Sequence, residues 1–489
     1  MTRTFSLRLV AVVALVAAIL AVVMLERQRA GVTSEGMMLG ETPVTLWRGA
    51  GDDPAPLVVV AHGYAGSRQM MQPISIALAR AGFTVAAFDF NGHGRHSAPM
   101  DADITTLDGA TTQLVTHTVA VAEAARGLPD VTGPVALLGH SMATDIVIRA
   151  AERIEDVAAV VAISMYSDAV TPDFPDRLLI VSGAFEGRLR DVALDRLHQI
   201  DPAAAEGETV RAEGVERRVV TAPLVGHVGV LYSGTTLAEA RDWIAGAMGR
   251  AVSGPLPVIA PWVVVLMASL LALAWPLAAL VPRTTDTGDT RKRGAWLALA
   301  VPVAPALAAA VFFPAGALGL SAFGVLAAFF GVWGVVQLAL LWRAGQGPRS
   351  VSWSGLVLLL VWGLGVFAVV LDRYGAAFIP TGPRLEVMAL LLLGTVPFCL
   401  GDALMARTGG WVLRLLLRLL PIGALFAAML LAPRLGIAFT VLPVMVLFWC
   451  VYGLAGRWIA ARTGPATAGL ALGVILAWAI AASTPLVAA

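Results

Sequence analysis

The stretch "ALLGHSMATDIVIR" at 136–149 sets Ser141 between an apolar, strand-like run and a helical one. A serine on a sharp strand-to-helix turn presents its hydroxyl as a nucleophile, provided small neighbours let strand and helix approach closely. Gly139 and Ala143 are those small residues, alanine standing where the usual G-x-S-x-G pattern ends in glycine. Taken alone, G-x-S-x-A also fits an ordinary turn. A second turn adds weight. "VVVAHGYAGS" at 58–67 places His62-Gly63 after another apolar run. There the backbone N–H of Tyr64 could join that of Met142 in an oxyanion hole. "FDFNGHGRHS" at 88–97 is a third strand-end loop of the same character.

These turns need a scaffold. Short apolar runs read as strands at 42–47, 56–63, 84–90, 134–140, 157–164, 176–183 and 216–223, with helical stretches between them. Continuous apolar strands separated by helices predict a mostly parallel sheet covered on both faces. Functional groups on such sheets gather at the carboxyl ends of the strands. His62-Gly63, Asp89 through Gly94 with Ser97, and Gly139 through Ala143 occupy such ends, and with them residues 42–248 resemble the α/β-hydrolase superfamily of serine hydrolases.

The resemblance implies a triad in the chain order serine, acid, histidine. His227, in "TAPLVGHVGV" after the last strand, takes the place of the base. Glu186, three residues past Gly183, takes that of the acid, and Asp168 after the strand at 157–164 is the alternative. In these roles Ser141 attacks a carbonyl, neutral His227 accepts its proton, and the carboxylate holds the imidazole tautomer. His62 and His140 read as turn-shaping residues, His93 and His96 as loop residues near the mouth, His117 and His198 as helix surface, and Asp145 as a structural hydrogen-bonding residue. The histidines show no convincing metal-ligand spacing, and no metal or cofactor is expected. The connection at 165–175 is too short for a helical lid, so the mouth should be open.

The whole chain is far greasier than one soluble domain. Of 489 residues, 58% are apolar and 14% charged, with mean hydropathy +0.79. That composition indicates a membrane protein. A net charge of +1 provides no field for nucleic acid. Cys399 and Cys450 both lie in apolar runs and give no disulfide framework. Residues 1–30 read as an uncleaved anchor, 40–250 as the hydrolase-like domain, and 256–489 as a polytopic domain of about eight helices. Apolar runs near 257–281, 295–313, 318–342, 351–371, 385–405, 411–432, 436–455 and 466–486 have spanning length.

Loop charge then orients the chain. Arg283, Arg291, Lys292, Arg293, Arg343, Arg349, Arg407, Arg414, Arg418, Arg457 and Arg462 fall on one side, against Arg373, Arg384 and Arg434 on the other. The positive-inside rule assigns the first set to the cytoplasm and the hydrolase-like domain to the extracytoplasmic side, and the membrane expected is a bacterial inner membrane. The outer loop at 371–386 is rich in polar groups, and Arg373 and Arg384 are candidates for guiding an anionic head group to the mouth. Asp402, an acid within an apolar run, is a further functional candidate.

The expected function is a membrane-embedded, extracytoplasmic serine hydrolase acting on an ester, thioester or amide, with a lipid or lipid-linked acyl substrate favoured. An acyltransferase modifying an envelope component is the alternative chemistry. A transporter or sensor with a non-catalytic hydrolase-like domain is the alternative of another class.

Overall fold

In the computed structural model, residues 2–51, 53–252, 254–284, 295–314, 321–348, 350–408 and 410–488 are described. Two compact units emerge. One holds residues 21–264 together with the short segment Arg373–Ala377; the other holds 1–20, 265–372 and 378–489.

The first unit is built on one nine-stranded sheet, in the order β1-β2-β4-β3-β5-β6-β7-β9-β8. Its central strands are β3 (Ala55–Ala61), β4 (Thr84–Phe88), β5 (Val131–His140), β6 (Val157–Ile163), β7 (Arg177–Gly183) and β9 (Val215–Ala222). They run parallel to one another. Side chains of β3 and β4 are buried on both faces, as near-continuous Val and Ala runs require. Helices α2 (Gln72–Arg80) and α6 (Gly234–Ala247) pack together, as do α3 (Thr112–Arg126) and α4 (Met142–Ala151). Helix α5 (Gly187–His198) lies on β7 and β9.

Two edge strands escape the sequence reading. β1 (Val32–Leu39) pairs antiparallel with β2 (Thr42–Gly49), and β8 (Thr209–Ala212) with β9. β1 is mostly exposed, and its sequence VTSEGMML carries no apolar alternation. Its strand form comes from pairing along its whole length with the buried β2. No helix interrupts 164–176, so the connection after β6 is bare, as its length required.

The second unit is helical. Among the described residues, eight helices are long and apolar enough to cross a membrane: Phe5–Arg27 of α1 (Thr2–Arg27) and seven between Ala260 and Ser483. The sequence reading expected nine, counting a span at 295–313. Instead α8 (Ala295–Ala300) and α9 (Val303–Phe312) form a shorter, interrupted segment. Pro302 stands at the break, where its ring removes a backbone donor. The seven are α7 (Ala260–Leu280), α10 (Ser321–Arg343), the continuous span Trp353–Tyr374 made of α11 (Trp353–Leu360), a π-helical stretch Val361–Phe367 and α12 (Ala368–Tyr374), and then α13 (Pro383–Thr408), α14 (Trp411–Leu431), α15 (Val441–Thr463) and α16 (Pro465–Ser483). Of the loop-charge set, Arg291, Lys292, Arg293 and Arg349 lie outside the described residues.

Candidate active site

Strand β5 delivers Ser141 and α4 begins one residue later. The turn between them forces Ser141 to φ +54° and ψ −121°, a backbone region that L-residues rarely occupy. Strain of this kind persists only where surroundings hold it. Here Ser141 N–H donates to Ile163 O at 2.8 Å, and Thr144 N–H donates back to Ser141 O at 2.9 Å. Gly139 is essential to the fit: a Cβ there would lie 2.5 Å from Ala143 O.

The Ser141 hydroxyl donates to His227 Nε2 at 2.8 Å. His227 Nδ1–H donates to Glu186 Oε1 at 2.5 Å. The other carboxylate oxygen accepts from Ser164 Oγ at 2.8 Å and from Gly183 N–H at 2.6 Å. Burial alone would raise the Glu186 pKa, but hydrogen bonds from His227, Gly183 and Ser164 outweigh it and hold the carboxyl below its ordinary range. Glu186 is thus kept as an anion beside the imidazole. Ser164, itself at φ +54°, is a contributor that sequence reasoning missed. Its position at the end of the strand run at 157–164 was the available signal.

His140 fixes the other side of His227. Its Nε2–H donates to the His227 backbone carbonyl at 2.8 Å. Burial pushes the His140 pKa down to about 4, so the ring is neutral. Asp168 is not part of this arrangement. Its carboxylate is exposed and pairs with Arg149, which also binds Asp145. Asp145 accepts from Ser167 Oγ at 2.6 Å, tying the bare connection after β6 to α4.

The turn at 62–67 faces Ser141 closely. A Cβ on Gly63 would come 2.9 Å from Ser141 Cβ. His62 Nδ1–H and Gly66 N–H both donate to Gly63 O, at 2.8 Å and 2.9 Å. His62 Nε2 accepts from Phe90 N–H at 3.2 Å, locking this turn to the loop after β4. That loop is organised by fully buried Asp89, which accepts from the N–H of Arg68 at 2.8 Å and of Arg95 at 3.0 Å and pairs with the Arg68 guanidinium. Tyr64 therefore follows a backbone fixed from several directions. Met142 is the first residue of α4, where a helix N–H has no partner within the helix.

His93 and His96 are buried rather than placed at an open mouth. The His93 ring packs against His62 and Tyr64, and the His96 ring against His117. His117 departs from expectation: it is not helix surface. It bonds Thr42 Oγ1 at 2.6 Å and packs on Phe88 and Phe90, because that side of α3 turns toward the sheet. His198 is exposed as expected. Among the described residues no group of three or more His, Cys, Asp or Glu could hold a metal ion.

Arg373 and Arg384, the candidates for guiding a head group, are each engaged by other groups of the protein. Arg373 is ion-paired with Glu26, and Tyr374 OH also donates to Glu26. Arg384 is buried in the helical unit and donates to the carbonyls of Ala481 and Thr484 at 2.8 Å and 2.7 Å. The segment 373–377 meets the hydrolase-like unit of which it is part. Gln72 Nε2 donates to Arg373 O at 2.9 Å, and Ala377 N–H donates to Ser67 Oγ at 2.9 Å.

Residues 52–198 match the sequence model of the hydrolase family described as serine aminopeptidase, S33. With the parallel sheet, the strained turn at Ser141 and this match, the architecture is decided. The domain has the α/β-hydrolase fold. No curated protein sequence matches the chain. Similar solved structures include a dienelactone hydrolase from Anabaena variabilis (16% identity, 46% of this chain and 100% of that one, TM-score 0.33). Others are the HSL homologue EstE7 from a metagenome library (17%, 51% and 98%, TM-score 0.33) and Est1E from Butyrivibrio proteoclasticus with ferulic acid bound (14%, 44% and 100%, TM-score 0.32).

Apolar side chains are exposed close to the triad of this α/β-hydrolase domain in the sequence. Phe185, Leu224 and Val228 flank Glu186 and His227 in sequence, and all are exposed. Phe185 N–H donates to Val225 O at 3.0 Å, which holds the two loops together. Tyr166, also exposed, is tied by its N–H to Thr144 Oγ1 at 3.2 Å, beside the Ser141 turn.

Proposed function

We propose that the protein is a membrane-embedded serine hydrolase that cleaves an ester, thioester or amide, with Ser141 as nucleophile, His227 as general base and Glu186 as the orienting acid. The observation that carries this reading is the continuous hydrogen-bond chain from Ser141 Oγ through His227 to Glu186, starting at a strained strand-to-helix turn. In the first step the hydroxyl oxygen attacks the acyl carbon as its proton passes to His227 Nε2. The oxyanion is stabilised by the backbone N–H groups of Tyr64 and Met142. His227 then protonates the leaving group, and water attacks the acyl-enzyme by the reverse proton path, regenerating Ser141.

The exposed apolar side chains of Tyr166, Phe185, Leu224 and Val228 support a substrate with an acyl chain, and eight membrane-capable helices in the same chain support a lipid or lipid-linked one. The asymmetry of loop arginines supports an extracytoplasmic domain. Labelling by a fluorophosphonate probe tests the chemistry. Wild type should label, and Ser141→Ala should not, while melting at the same temperature. A Ser141→Ala variant that still labels overturns the assignment. For orientation, a phosphatase reporter fused after residue 250 should be active and one near residue 288 inactive; the reverse pattern puts the domain in the cytoplasm.

A further inference from the structure

The helical unit contains a cavity of about 390 Å³ whose wall is unusually cationic. Arg407 of α13, Arg414 and Arg418 of α14, and Arg457 and Arg462 of α15 line it, with Asp402 as the acid. The whole chain carries a net charge of only +1, so this wall concentrates positive charge in one place. Arginines at a membrane boundary ordinarily spread into water. Several of these are instead fixed in the wall. Arg414 Nε donates to Ala406 O at 2.9 Å, and Arg462 Nε donates to Val281 O at 2.7 Å. The Arg418 guanidinium lies over the Trp449 ring at 4.7 Å. Gly453 keeps that place open: a Cβ there would come 3.0 Å from the Trp449 ring and 3.6 Å from the Arg418 guanidinium.

Two buried polar atoms make the wall more specific. Among the described residues, neither Asp402 Oδ1 nor Arg418 Nε finds a hydrogen-bond partner. Buried donors and acceptors are normally paired, and leaving them unpaired costs stability. Clustered guanidinium groups also repel one another, which a bound anion offsets. A tetrahedral phosphate presents several oxygens to several guanidinium forks at once, whereas one carboxylate fills one or two. A hydroxyl or amine on the phosphate's alcohol part would suit Asp402. The volume is in the range of small-ligand sites.

We infer that this cavity is a second ligand site, separate from the hydrolase chemistry, which binds the phosphate group of a phosphate ester. A lipid head group and a free phosphate compound share that chemistry, and the test separates them. Full-length protein in detergent is titrated with inorganic pyrophosphate. In parallel, nanodiscs of phosphatidylcholine with or without phosphatidic acid are analysed for retained lipid by native mass spectrometry. Saturable pyrophosphate binding identifies a soluble source, and selective retention of phosphatidic acid identifies a lipid head group. In either case Arg457→Gln should weaken binding about ten-fold, the scale of one charge-assisted hydrogen bond. Arg457 is exposed, so this variant should keep the melting temperature of the unliganded protein. Arg457→Lys retains charge without the fork and should bind between the two. Arg414→Gln with Arg457→Gln should lose binding further. Absence of saturable binding by either probe, or full binding by every variant, overturns the proposal.

Discussion

Ala377 and Ser67 are 310 residues apart in the chain, yet the Ala377 N–H donates to the buried Ser67 hydroxyl at 2.9 Å. Ser67 closes the same turn that carries Tyr64, so a segment lying between two apolar helices in sequence braces the proposed oxyanion hole. We predict that Ser67→Ala costs roughly 1 kcal/mol of stability, the worth of one hydrogen bond. It should also lower kcat several-fold with KM nearly unchanged, because a displaced Tyr64 N–H weakens the transition state more than substrate binding. Steady-state kinetics on a soluble ester checks this; an unaltered kcat removes Ser67 from the positioning of the site.

The two acids should separate sharply. Glu186→Gln removes the charge next to His227 Nδ1 while preserving shape, and turnover should fall by orders of magnitude, as when a triad acid is replaced by its amide. Asp168→Asn breaks only an exposed pairing with Arg149, and turnover should change less than two-fold. Measuring kcat/KM for both variants decides the matter, and the opposite ranking would move the acid to the end of β6.

Acid should destabilise the hydrolase domain through His140. Its pKa is about 4 in the fold against 6.5 when unperturbed. Between those values the unfolded chain binds a proton that the folded one does not. Stability is therefore complete above about 6.5, falls as pH is lowered, and the full loss is reached below about 4. Burial also lowers the pKa values of His62, His96 and His117, with the same sign. Thermal melting in detergent from pH 7.5 to 4.5 should show the decline, and His140→Gln should make it less steep while the other buried histidines keep part of it. A wild-type melting temperature independent of pH over that range contradicts the argument.

Gly139→Ala should damage the Ser141 turn without touching a reacting atom. The added Cβ meets Ala143 O at 2.5 Å, and backbone on both sides leaves little room to yield. Overpacking of this kind costs about 1–3 kcal/mol, and fluorophosphonate labelling should slow because α4 and Met142 N–H move away from Ser141. Labelling at the wild-type rate would show that the turn tolerates the shift.

The sequence by itself determined the sheet and the helical region. Val- and Ala-rich runs such as PLVVVA can be buried on both faces only in a covered parallel sheet, and runs of about twenty apolar residues have few stable places outside a bilayer. It also put Ser141, His62-Gly63, Glu186 and His227 at strand ends, since strand-end loops carry their own turn chemistry. Tertiary structure decided what those ends face. Glu186 and Asp168 both follow strands, and only the crossing of the chain gives His227 to Glu186 while Arg149 captures Asp168. The edge strand β1 was illegible because its partner, not its composition, makes it a strand. His117 turned inward and Arg384 was buried because helix faces are chosen by packing. Loop counting could assign Arg407, Arg414 and Arg457 to one side of a membrane, but that they wall one cavity with Asp402 depends on how α13, α14 and α15 pack, a contact pattern with no local signature.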